Sequence, residues 1–318
     1  MVPIELKPHS NILIAGCGGG FDVIAAGVPI GLALEKLGHN VIYSSYSFTR
    51  LAQVIDAESI SINSIQLLLI DAETQGPQAY FPEKYLAQWY KKYKNAEKKI
   101  YCYSGIGVQP LISIFDYIQK RERIDYLFIV DGGCDGILRG DEFDLGTPEI
   151  DSVSVVAGEQ CAIKAGFYVL SAFGTEGVAK TMSHAQVLER MSELVSQNAF
   201  YGVTSIFNDV EIKSDYVGLF EYISEQMGIH NKSTIMASIV HSLQGDFGDT
   251  VINHKTAFAP VWISVLTSLL WFFNLDSVAK MKLNYTQLLA TNDFIEVFQL
   301  FGLNFSTQAL EKKPRIPI

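Results

Sequence analysis

Charge is scarce in this 318-residue chain. Charged residues make up 18% of it, and Lys and Arg are outnumbered 24 to 34 by Asp and Glu, for a formal net charge of −10. A nucleic-acid partner is not expected, because phosphate backbones are bound by clustered basic side chains. A small anionic ligand stays open, since backbone N–H groups at a turn or helix start hold one without help from Lys or Arg. Cysteine is sparse as well: Cys17, Cys102, Cys134 and Cys161 stand far apart, with no C-x-x-C. That spacing argues against a zinc site and for separate reduced thiols in a cytoplasmic protein. The amino-terminal MVPIELKPHS has no basic stretch running into an apolar one, so no signal peptide is read. Repeats and low-complexity linkers are missing too. One uncharged run, AFAPVWISVLTSLLWFF at 257–273, raises the question of a membrane. It is at the lower edge of a spanning length and carries Pro260. A core element is expected there, or an interface between copies of the chain, rather than a membrane segment.

What is present is a filled core, with 48% hydrophobic residues, and a recurrent pattern of apolar strands that end in glycine. Asn11–Ala15 reads as a strand leading into Gly16-Cys17-Gly18-Gly19-Gly20-Phe21-Asp22. A helix follows to Leu37, regular only from about Val28 because Pro29 suits a first turn. Val41–Ser45 is the second strand, giving a β-loop-α-β unit with right-handed parallel pairing. Ile60–Ile70 fits strand or helix. Glu83–Lys94 reads as an amphipathic helix and Ile100–Tyr103 as a strand ending in Ser104-Gly105-Ile106-Gly107. Leu127–Val130 is a further strand, ending in DGGCDGILRGDE, and Thr147-Pro148-Glu149 opens a helix. Phe167–Phe173 ends in Gly174-Thr175-Glu176-Gly177. The expected architecture is an open α/β sheet, mostly parallel with helices on both faces. It forms a single domain over 1–318, in which 210–318 is a mainly helical portion packed on the sheet.

In a parallel sheet the four glycine-bearing strand ends lie along one edge, where open α/β folds keep their ligands. Gly16, Gly18, Gly19 and Gly20 are expected to present N–H groups to an anion, with Ser104, Gly105 and Gly107 completing the cradle and Gly132 and Gly133 beside it. The first loop departs from the dinucleotide fingerprint. Its third glycine position is Phe21, and Ser44, Ser45 and Tyr46 stand where an acid for the ribose diol is required. NAD(P) is therefore disfavoured, with Ser44, Ser45 and Arg50 left as a weak match to a 2′-phosphate. The acid-rich loop carries the chemistry: Asp131 and Asp135 suit Mg²⁺ or ligand hydroxyls. Arg139 is expected to offset developing negative charge, and Glu176 is a candidate general base. Asp22 suits either a helix cap or a metal site. Cys134 reads as a small turn residue, and His184 and His241 as packed or surface histidines.

The segments GCGGGFDVIAAGVPIGLALEKLGH and DGGCDGILRGDEFDLGTPEIDSVSVVA resemble domain-of-unknown-function family 1152. In that pattern Thr or Ser usually takes the place of Cys134, and Ser that of Gly136. The resemblance implies a Rossmann-like, doubly wound fold and supplies no activity. The functional expectation thus rests on the site: an enzyme binding a nucleotide or other phosphorylated metabolite, with Mg²⁺-assisted hydrolysis or group transfer. The alternatives are a non-catalytic sensor of the same ligand, and a scaffold that uses 257–273 as an interface.

Overall fold

The computed structural model describes residues 2–77, 79–142, 148–175, 184–228, 232–253, 256–257 and 260–304. Its frame is a nine-stranded sheet ordered β3-β4-β5-β2-β1-β6-β7-β11-β8. The strands are β1 (Asn11–Gly19), β2 (Asn40–Tyr46), β3 (Glu58–Ile62), β4 (Ile65–Ile70), β5 (Ile100–Tyr103), β6 (Tyr126–Asp131), β7 (Gly166–Leu170), β8 (Phe200–Thr204) and β11 (Leu270–Asn274). A separate small ribbon pairs β9 (Gly248–Thr250) with β10 (Val261–Ile263). The central run β5-β2-β1-β6-β7 is parallel throughout, as expected for strands returned by helical crossovers. Antiparallel strands finish both ends.

Alternation along β1 sends Leu13, Ala15 and Cys17 into one core and Ile12 and Ile14 into the other, the two-residue period of a strand buried on both faces. The first core is closed by α3 (Val108–Glu122), α4 (Pro148–Gln160), α5 (His184–Ser196), α8 (Leu275–Lys280), α9 (Tyr285–Leu288) and α10 (Phe294–Asn304). The second is closed by α1 (Val28–Lys36), α2 (Pro82–Tyr93), α6 (Val210–Met227) and α7 (Thr234–Gln244). Helix α1 begins at Val28, with Pro29 in its first turn, and one turn of π-helix, Val23–Gly27, precedes it.

Two stretches differ from what periodicity alone suggests. Residues 58–70 form a hairpin, not one element; Asn63 and Ser64, both at positive φ, make its turn, the geometry that joins tightly twisted strands. The apolar 257–273 run supplies β11, which enters the main sheet between β7 and β8. Phe272 and Phe273 are fully buried there, so these side chains are spent inside the subunit, while Val265 stays exposed. The C-terminal portion therefore completes the sheet as well as packing on it. Among the described residues no helix is long and apolar enough to cross a membrane.

Candidate functional site

Strand β1 has β2 on one side and β6 on the other. Successive crossovers leave it in opposite directions, and the crevice past the carboxyl ends of β1 and β6 is the switch point of the sheet. The glycine run lies at this edge, but not as a free loop. Strand pairing continues to Gly19: Gly16 is in register with Val130 and Gly19 with Tyr46, with an irregularity between Ala15 and Gly19. The Gly18 N–H donates to Asp22 Oδ2 at 2.6 Å and the Gly20 N–H to the Tyr46 carbonyl at 3.1 Å. Two of the amides expected to face an anion are thus engaged within the protein. Gly107 is engaged as well: its N–H donates to the Asn292 carbonyl at 3.0 Å, and the backbone at Thr291 lies against its Cα. Ser104 and Gly105 remain exposed at the end of β5.

The switch point gathers carboxylates. Asp22, Asp131 and Asp151 each place an oxygen within 4.8 Å of the others. Asp131 ends β6, and its position is fixed by three donors. Oδ1 accepts from Gly133 N–H at 2.8 Å; Oδ2 accepts from Gly136 N–H at 2.9 Å and from the Tyr168 hydroxyl at 2.7 Å. The Ser171 hydroxyl holds the same turn by donating to the Gly132 carbonyl at 2.9 Å. Asp22 stands at the start of the π-turn and makes no capping bond to it; its carboxylate turns back to Gly18. Asp151 comes from the first turn of α4, where an acid also suits the helix dipole. Helix α4 packs across β1, and the Cys17 thiol donates to the Asp151 carbonyl at 3.4 Å.

The glycines let the acids approach. A methyl group on Gly18 would overlap the Asp151 carboxylate; one on Gly132 would lie 2.6 Å from Asp22 Oδ1, and one on Gly136 2.8 Å from Asp131 Oδ2. Two signals in the sequence, glycines and acids, are therefore parts of one device.

The electrostatics are severe. Desolvation, with Asp135 next, pushes the Asp131 carboxyl up to about 7. Burial and neighbouring acids also raise Asp22 and Asp151 well above the ordinary carboxylate range. Among the described residues Lys282, 3% exposed, acts on Asp151 and Asp131 through its charge. Its Nζ donates to the Gly136 carbonyl at 2.6 Å and the Leu138 carbonyl at 2.7 Å. Burial lowers its pKa, against the pull of Cys17, Asp151, Glu142 and Asp131.

Asp131 is thus central, as the strand-end position suggests, and Asp22 and Asp151 join it in a group with oxygens within 4.8 Å of one another. Asp135 is buried beside them and acts on all three through its charge. The Arg139 guanidinium points elsewhere: Nη1 lies 3.5 Å from Glu193 on α5. Glu142 accepts from the Arg139 and Gly140 N–H groups, each at 2.9 Å. Glu176 and Thr147 lie outside the described residues, as does His254. His184 packs between Phe173 and Trp262, and His241 pairs with Asp246 at 2.5 Å. All four cysteines are buried, and among the described residues none forms a disulfide. Asp151 and Lys282 are the members that sequence reasoning passes over. Asp151 looks like an ordinary first-turn acid, and no local signal ties Lys282 to a loop some 145 residues earlier.

The order β5-β2-β1-β6-β7, with the acids at its switch point, defines a Rossmann-like α/β protein with a mostly parallel, mixed sheet. The chain belongs to the family described as Protein of unknown function (DUF1152), which matches residues 13–300. That range holds the whole carboxylate cluster and Lys282. No curated protein matches the chain, and no solved structure does.

Proposed function

We propose that the chain is an enzyme that binds a phosphorylated small molecule at the β1/β6 crevice and carries out cation-assisted hydrolysis or group transfer. The observation that carries this reading is the grouping of Asp22, Asp131 and Asp151 within 4.8 Å. Three carboxylates held so closely need protons or a cation to coexist. The donor set is oxygen only, which fits Mg²⁺ or Mn²⁺. A bound divalent cation would polarise a phosphoryl oxygen and offset charge on the leaving group.

The chain's own residues do the positioning. Gly133, Gly136 and Tyr168 fix both oxygens of Asp131 and fill three of its roughly four acceptor sites, leaving one on Oδ1 for a cation. Gly18 fixes Asp22. Asp22 is only partly buried, so it is the carboxylate that a ligand approaching along the strand edge meets first. Lys282 is tied to two carbonyls behind the cluster and compensates part of its charge without entering the crevice.

The test is direct. Mn²⁺ is titrated calorimetrically into the wild-type chain and into Asp22→Asn and Asp151→Asn, each expected to lose at least tenfold in affinity. A panel of sugar phosphates and nucleotides is then followed by melting temperature and by phosphate release, with the cation and with EDTA. Ligand binding raises the melting temperature by mass action, and a cation-dependent rise accompanied by turnover is expected. An equal rise in EDTA with no turnover would replace this reading with that of a metal-independent sensor.

A further inference from the structure

The strand edge that carries the carboxylates continues on the β2 side. Phe48 is 57% exposed, yet the residues on either side of it, Ser47 and Thr49, are 2% and 3% exposed. The turn that carries it is pinned at several points. Ser47 N–H donates to the Tyr103 carbonyl at 2.8 Å, and Thr49 N–H to Ser47 Oγ at 3.0 Å. Below them lies Glu83, 0% exposed, from the first turn of α2. It accepts from the Ser45 hydroxyl at 2.9 Å and from the Thr49 hydroxyl at 2.8 Å. Burying a carboxylate is costly unless it is fully hydrogen-bonded. Here a buried acid fastens both ends of a turn whose middle residue is an exposed phenyl ring. The far edge of that ring rests on Gly19, where any side chain would collide with it. Gly18, one residue earlier, is the residue whose bareness admits Asp151. The two bare positions thus bring the carboxylates and the phenyl ring to one turn. Beyond Phe48 the edge stays open, with Ser104 and Gly105 exposed and nothing within 4 Å of the space a side chain on Gly105 would fill.

A phenyl ring left more than half in water forgoes much of the gain of burial, and a mobile turn would fold it away. This turn is fastened so that it does not. We infer that Phe48 is a stacking platform for a planar ring of the ligand, so that the phosphorylated molecule is a nucleotide, its base against Phe48 and its phosphate at the acidic crevice. The inference rests on the proposed site for its phosphate end only. Ring stacking on an aromatic side chain needs no hydrogen-bond code and is tolerant of which base is offered. The fixing of Phe48 also accounts for the residues at the end of β2. Ser45 occupies the place of a ribose-binding acid and is spent on Glu83, so recognition passes from hydrogen bonding of the ribose to stacking of the base.

The experiment uses three probes on the full chain: adenosine in EDTA, ribose 5-phosphate with Mn²⁺, and ADP with Mn²⁺. ADP is expected to bind at least tenfold more tightly than ribose 5-phosphate. Phe48→Ala removes that margin while leaving Mn²⁺ and ribose 5-phosphate affinities unchanged. Phe48→Trp keeps it, and its emission is quenched by adenosine even without metal. Equal affinity for the two phosphates, or no response of Phe48→Trp to adenosine, overturns the platform while the cation site stands. Quenching by adenosine with no Mn²⁺ binding keeps the platform and removes the cation site. A collapsed Phe48→Ala fold is recognised by its melting temperature, and Phe48→Trp then decides the matter alone.

Discussion

Asp131 is a carboxyl group pulled in two directions. Three donors favour its charge, while burial and Asp135 oppose it and hold its pKa near 7. A carboxyl raised above its unfolded value of about 3.9 binds more protons in the native state. Its stabilising contribution is full below that unfolded value and is lost as pH rises through about 7. Asp22 and Asp151 are raised as well, so they act in the same sense. The metal-free protein is therefore expected to melt lower at pH 8 than at pH 5, and added Mg²⁺ or Mn²⁺ to restore more at pH 8, because cation and protons compete for the same oxygens. A melting temperature that rises with pH in EDTA would contradict this. Asp131→Asn should flatten the pH slope. It also places an amide N–H against the Gly136 or Gly133 N–H, at a cost of about 1–3 kcal/mol for an unpaired donor. Gly18→Ala should lose about 1–3 kcal/mol by crowding Asp151 and Asp22, and should lose cation affinity with it. Gly218→Ala, inside α6 with nothing within 4 Å of the added methyl, is the opposite case. It should gain up to about 1 kcal/mol, as denaturant melts would show.

At the scale of elements, the site is where three segments from distant parts of the chain meet: the end of β1, the turn after β6 and the first turn of α4. The segment after α8 supports them from behind through Lys282. Removing this lysine leaves two carbonyls without their donor and the acids without a countercharge. Lys282→Met is expected to cost on the order of 3 kcal/mol, with the loss growing as pH rises; chemical denaturation at pH 6 and pH 8 would measure it. Much of this level was legible in the residues. Period and caps locate β1, β2, β5, β6 and the helices that follow them, and Pro29 marks where α1 becomes regular. The acid-glycine turn was legible as a candidate site because short carboxylates and bare backbone coincide there. The companions of Asp131 were not. Asp135 is four residues away in the chain, and Asp151 is twenty; the nearer pairing is the natural reading. Only the packing of α4 across β1 brings Asp151 within reach. The hairpin at 58–70 was hidden for a different reason: Asn63-Ser64 is a weaker turn signal than Asn-Gly, and the short alternation of Ser59-Ile60-Ser61-Ile62 in β3 runs into a β4 too apolar to continue it.

For the whole molecule, the antiparallel additions decide where the domain ends. Strand β8 is held in the sheet by β11, which comes from the C-terminal third. Ending the chain at Asp209 should therefore give not a trimmed α/β domain but a protein with β7 exposed as an edge and β8 unpaired; size-exclusion chromatography is expected to show aggregate. Phe272→Ala, at a fully buried position in β11, should cost about 3–5 kcal/mol in an equilibrium melt. The reading of 257–273 as core was within reach of composition. Its place between β7 and β8 was not, because an apolar run says that a segment is buried and says nothing about its neighbours.

The threading of β11 between β7 and β8 also has a consequence in time. During synthesis β7 and β8 leave the ribosome well before Leu270–Asn274, and no β-bridge joins them until that segment arrives. The growing chain thus carries two unfinished strand edges through more than sixty residues of further elongation, several seconds at ordinary translation speeds of about 5–20 residues per second. Protection of those edges by a holding chaperone, and slow codons placed after rather than before residue 274, are what a nascent protein built in this order would favour.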